Sequence, residues 1–115
     1  MNKEKEKILI RTAVEYFDSG EEESKKQRYN SALVLYFKSL IALTDLLLLR
    51  KTGNTPSSHT SRFRMCQESF SDIYNLIDKD FPFYQDSYSQ LISKELAEVI
   101  RDDAQTVAQK LKIKL

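Results

Sequence analysis

The residues of this chain that could do chemistry are few, and they gather around one loop. His59 is the only histidine, and an imidazole with an ordinary pKa near 6.5 can serve as a general acid or base. Arg62 and Arg64 follow it, and Arg50 and Lys51 stand on the other side of the loop. Together Arg50, Lys51, His59, Arg62 and Arg64 could form a basic cluster that binds phosphate beside a helix N-terminus. The plainer reading is a capping or surface histidine among solvated charges between two helix ends. Lys38 and Asp45 form a second candidate, because two charges in an otherwise apolar helix each need a partner or an exposed edge. They can be a structural pair, a polar site in the core or a strip at a dimer interface.

Other residues carry weaker signals. Cys66 falls in an apolar 3-4 pattern, which makes it a small buried hydrophobe and not a nucleophile. Phe81, Phe83, Tyr84 and Tyr88 could stack on nucleobases, but only Lys79 is interleaved with them, so core packing is the better role. Asp102 and Asp103 are sequence neighbours and point to different sides of a helix, so they are not read as an acid/base pair. No metal-ligand spacing, glycine-rich phosphate loop or Ser/His/Asp set occurs. No catalytic residue, metal or cofactor is therefore assigned.

These residues must be positioned by helices. Ile10, Ala13, Val14 and Phe17 recur at three- and four-residue steps and predict an amphipathic helix from near Lys3. Glu21 to Lys25 and Glu22 to Lys26 are spaced for i,i+4 pairing, extending it to about Lys26 with fraying at Gly20. Gln27 to Asn30 reads as a turn, with Asn30 or Ser31 as the next N-cap. From Ala32 to Leu49, fourteen of eighteen positions are apolar, which marks a helix buried on most of its surface. A membrane span needs about 20 apolar residues and would bury Lys38 and Asp45 at a cost of about 3 kcal/mol each, so a protein core is the expected setting. Ser31, Lys38, Asp45 and Thr52 are seven apart and line one narrow polar stripe.

Arg50, Lys51 and Gly53 stop that helix. The turn-rich NTPSSHTS comes next, with Thr55 or Ser58 as N-cap of a third helix. Phe63, Cys66, Phe70, Ile73 and Ile77 carry this helix to about Ile77. Pro82 disfavours a helical Phe81, so DKDFPFYQDSYSQLI is expected to be a loop with a short helix near Gln85 to Leu91. Ser93 caps a last helix whose core face is Leu96, Ala97, Ile100, Ala104, Val107 and Leu111.

The expected fold is all-α, a four- to five-helix up-and-down bundle forming one domain over residues 1-115. With 115 residues, two Gly and two Pro, one core suffices. A net charge of +1 gives the whole domain no strong pull on nucleic acid or anionic lipid, and no DNA-binding motif occurs. A lone cysteine and an N-terminus without an apolar h-region point to the cytoplasm.

An amphipathic first helix is followed by a YxxA pattern at Tyr29 and Ala32, which opens a leucine-rich helix carrying Leu46 to Leu49. Gly53, Pro56, Ser58 and His59 come next, and the chain closes on SKELAEVIRDDAQTVAQKLK. That order resembles the HEPN family of small helical domains over nearly the whole chain. The resemblance implies a helical bundle that forms homodimers, acts beside nucleotidyltransferases and includes RNases of toxin-antitoxin and defence systems. The family's RNase motif is an Arg followed, after four to six intervening residues, by a His. Here Arg50 precedes His59 by eight intervening residues, so the motif is absent. The resemblance and the missing motif together imply a non-catalytic HEPN-like domain that dimerises and binds a nucleotide, RNA or a nucleotidyltransferase-type partner. Two alternatives remain, an RNase with an unorthodox site at His59 and Arg62 (with Arg64), and a TPR-like helical adaptor.

Overall fold

The computed structural model describes residues 2–115, and no strand occurs among them. Among the described residues five helices form a bundle: α1 (Lys3–Lys25), α2 (Tyr29–Thr52), α3 (His59–Ser69), α4 (Ser71–Asp86) and α5 (Lys94–Lys110). α2 is its axis. Twelve of its residues are buried, chiefly beneath α1 on one side and α5 on another, with α3 and α4 on a third. This helix is long and apolar enough to cross a membrane by length and composition, and two thirds of its most apolar stretch is enclosed by the other helices. Its polar residues follow the seven-residue stripe, with Ser31, Lys38 and Thr52 exposed and Asp45 half-buried. Two further polar groups are buried at no loss: Ser39 Oγ donates to Ala13 O at 2.7 Å and Thr44 Oγ1 to Leu40 O at 2.8 Å.

Several local expectations are corrected. α1 runs through Gly20 without fraying. Gly20 is buried against Tyr36, where an added Cβ would stand 2.7 Å from Cε1, so the missing side chain lets the two helices close. The N-cap of α2 is Arg28, not Asn30 or Ser31. Asn30 instead ties down the connection before α5, donating to Ser87 O and Gln90 O and accepting from Ile92 N at 2.9 Å.

The single helix expected to reach Ile77 breaks at Phe70, whose φ of −144° and ψ of 78° end α3 and start α4. The break lets Phe63 and Cys66 pack on the core along one axis and Ile73 and Ile77 along another.

The expected loop around Pro82 is helical, and no helix spans Gln85 to Leu91. An interior proline forfeits a hydrogen bond and costs about 3 kcal/mol. Against this, Tyr84 stacks on Phe37 at 4.7 Å, and Phe81 packs against Phe63 at 5.6 Å and Phe37 at 6.1 Å. Each large aromatic contributes about 1.5–3 kcal/mol on burial, and the helical turn is what aims several at the core together. Pro82 itself faces solvent.

Candidate functional site: a cleft along the central helix

Ser93 caps α5 as expected, and of the two candidates for α3, Thr55 and Ser58, it is Ser58 that caps it. Ser58 accepts from Ser61 N while Ser61 Oγ reaches back to Ser58 N, a reciprocal cap. This cap fixes the first turn of α3 over α2, and it sets His59 and Arg62, one turn apart, beside Asp45.

Arg62 grips Asp45 side-on, with Nε 2.7 Å from Oδ1 and Nη2 3.0 Å from Oδ2. The two side chains are only 11% and 14% exposed, so the pair is largely shielded from water and each charge depends on the other. The third guanidinium nitrogen, Nη1, lies 3.0 Å from His59 Nδ1. Because a guanidinium only donates, Nδ1 accepts and the imidazole proton resides on Nε2. Partial burial holds the His59 pKa below its usual value, the Arg62 charge adds to this, Asp45 opposes it and Lys38 lowers it further. His59 is thus neutral at pH 7. Its ring leans on Phe81 at 5.1 Å, which connects α4 to the cluster.

Lys38, Asp45, His59 and Arg62 line one cleft of about 410 Å³ between α1, α2 and the start of α3, with Tyr16 and Tyr84 as aromatic walls. Lys38 is exposed, and its Nζ hangs 6.0 Å over the Tyr16 ring. No carboxylate among the described residues pairs with it.

The expected basic cluster is divided. Arg62 and His59 join the α2 stripe. Arg50 turns instead to Glu6 near the start of α1, with Nε 2.9 Å from Oε1, and Lys51 and Arg64 are exposed and do not line the cleft. Lys38 and Asp45 share the cleft without pairing to each other, since Asp45 is taken by Arg62.

Cys66 is buried, and burial pushes its thiol up to about 11, with Asp45 acting in the same direction. A thiol so shifted is not a nucleophile at neutral pH. No group of three His, Cys, Asp or Glu side chains among the described residues has metal-binding geometry.

Sequence reasoning missed Glu21, which accepts from Tyr36 Oη at 2.8 Å and pairs with Arg101 in place of the expected Lys25, and it missed a cluster at Asp80. Asp80 is wholly buried between α4 and α5, and neither of its oxygens accepts a hydrogen bond. The available signal was its spacing, since Ile73, Ile77 and Asp80 continue a 4-3 rhythm that puts the carboxyl on the core face.

Comparison with protein-family models, with curated proteins and with solved structures finds no match to this chain.

Proposed function

We propose that this chain is a non-catalytic HEPN-like binding domain, dimeric in solution, whose working surface is the cleft lined by Lys38, Asp45, His59 and Arg62. The observation that carries the reading is that the polar stripe of α2, with Lys38 and Asp45, and the His59–Arg62 turn of α3 meet in one cavity. Arg62 has its charge largely cancelled by Asp45, so it is poorly suited to stabilise the extra charge of a phosphoryl transition state. As part of a rigid wall beside His59, with a free ammonium at Lys38, it suits recognition.

Of the occupants the family resemblance implies, the charge balance favours a partner protein or a single nucleotide over RNA. One unpaired cation cannot follow a polyphosphate backbone, which needs repeated basic contacts. The test is a titration of ¹⁵N-labelled protein with ATP, with a ten-nucleotide RNA and with a co-expressed nucleotidyltransferase, combined with light scattering at micromolar concentration. Shifts centred on Lys38, His59 and the Arg62 side chain, in a dimer, are expected. Binding that leaves these signals unmoved discards the cleft, and a monomer discards the dimer.

One observation favours a second reading, a ribonuclease. Although the family's linear Arg/His motif is absent, an Arg and a His stand side by side on the first turn of α3, with Arg62 Nη1 3.0 Å from His59 Nδ1, leaving Nε2 to interact with substrate. RNA cleavage that disappears in both His59→Ala and Arg62→Ala would establish this reading over the first.

A further inference from the structure

The cleft does not end at Lys38. A second concavity of about 500 Å³ shares Lys38 and Tyr84 with it and continues toward the start of α2, over Ser31, Val34 and Leu35 to Tyr88. The two hollows meet at Lys38 and Tyr84, which border both, and together they lie along the polar stripe from Ser31 to Asp45, fourteen residues or about 21 Å at 1.5 Å per residue. α1 makes one wall. The start of α3 and the end of α4 make the other.

The floor of the groove is apolar, with Val34, Leu35 and Ile41 all only half-buried. Asp45 is paired with Arg62, and at the far end Glu23 has Arg28 at 3.7 Å although its buried Oε2 accepts no hydrogen bond. Lys38, at the midpoint, is the cation lining both hollows, with no carboxylate partner among the described residues.

We infer that this groove is a docking site for an amphipathic helix of a partner protein, about four turns long, whose apolar face lies on Val34, Leu35 and Ile41 and whose central acidic residue pairs with Lys38. The length is set by the stripe, the apolar face by the floor and the carboxylate by the one uncompensated ammonium. Helix-in-groove recognition of this kind reads apolar anchors at i, i+3, i+4 and i+7. Here a buried ionic contact at the centre selects among such helices, since a like charge at Lys38 would be desolvated without a partner. The inference rests on the reading of the cleft as the working surface, and names its occupant.

The test uses two fluorescein-labelled fourteen-residue helical peptides with leucines at i, i+3, i+4, i+7 and i+11 and otherwise neutral polar positions. They differ only in a central Glu or Lys. With the full chain, anisotropy should show the Glu peptide binding about tenfold more tightly than the Lys peptide, and Lys38→Glu should reverse the order. Ile41→Arg, on the floor, should weaken both while circular dichroism shows the fold intact. If neither peptide binds at 500 µM, or if Lys38→Glu leaves the preference unchanged, the helix is wrong. Should ATP or the ten-nucleotide RNA bind instead and depend on Lys38, the helix fails while the cleft survives. Failure of peptides, ATP and RNA alike to perturb the groove overturns both.

Discussion

The carboxyl groups of Asp80 and Asp103 face a single ammonium group, with Lys79 Nζ 3.2 Å from Asp80 Oδ1 and 2.8 Å from Asp103 Oδ2. Lys79 has hydrogen-bond geometry to Asp103 only. This cluster and the ion pair of Lys110 with Asp72 at 2.8 Å both link α4 to α5. Burial, and then the neighbouring Asp103, push the Asp80 carboxyl up to about 8, with Lys79 opposing.

The folded state therefore holds this proton more tightly than the unfolded chain, whose Asp titrates near 3.8. The stability that Asp80 contributes is fully present below about pH 4 and declines as the pH rises toward 8. Asp80→Asn keeps the shape and removes the proton equilibrium. Its thermal midpoint should exceed that of the wild type by about 5 °C or more at pH 8, and the gap should close toward pH 4. Thermal melts across this range check it, and a gap that is constant with pH refutes it.

A different local cost is stored at Pro82. The proline is exposed and inside α4, where it removes a backbone hydrogen bond, while the aromatic residues around it supply the packing that keeps the helix. Pro82→Ala restores the bond without touching those rings, so it should stabilise by about 1–3 kcal/mol. Chemical denaturation should show a higher midpoint at unchanged slope. A lower midpoint would mean that the ring of Pro82 supports a neighbour.

These two sites show where sequence reasoning reached and where it stopped. Periodicity placed α1, α2 and α5 because each carries its apolar pattern over several turns, and Ser93, with Ser58 as one of two candidates, marked helix starts. It failed at Phe70, which continues the apolar rhythm while the backbone breaks, and at Pro82, where a local rule yielded to aromatic contacts with Phe37 and Phe63, residues distant in the chain. The stripe of Lys38 and Asp45 was readable, and so was the need of Asp45 for a partner. That the partner is Arg62 and not Lys38, or that Arg50 prefers Glu6, depends on how α3 and α1 lie on α2. Spacing within one helix carries no information about that.

His59 offers a direct probe of the cleft. Burial and Arg62 hold its pKa below the usual 6.5, and Asp45 pulls the other way. A titration followed by NMR of the imidazole should give a midpoint below 6.5 in the wild type, with the neutral form carrying its proton on Nε2. Arg62→Ala removes a lowering influence and should raise the midpoint. Asp45→Ala removes a raising one and should lower it. Movement of both variants in the same direction would show that the histidine senses a change in fold and not these charges.

The pair of Asp45 and Arg62 makes the last prediction. Both side chains are largely buried and meet through two hydrogen bonds. Removing either partner leaves a buried charge alone, at a cost of about 3–5 kcal/mol. The double replacement Asp45→Leu with Arg62→Leu leaves no stranded charge and adds apolar surface between α2 and α3, so it should lie within about 1 kcal/mol of the wild type. Denaturant unfolding of Asp45→Leu, Arg62→Leu and the double variant closes the cycle, with strong coupling as the expected result. Additive losses would mean that the two charges are solvated separately, and the rigid wall that Arg62 gives the cleft would then have no basis.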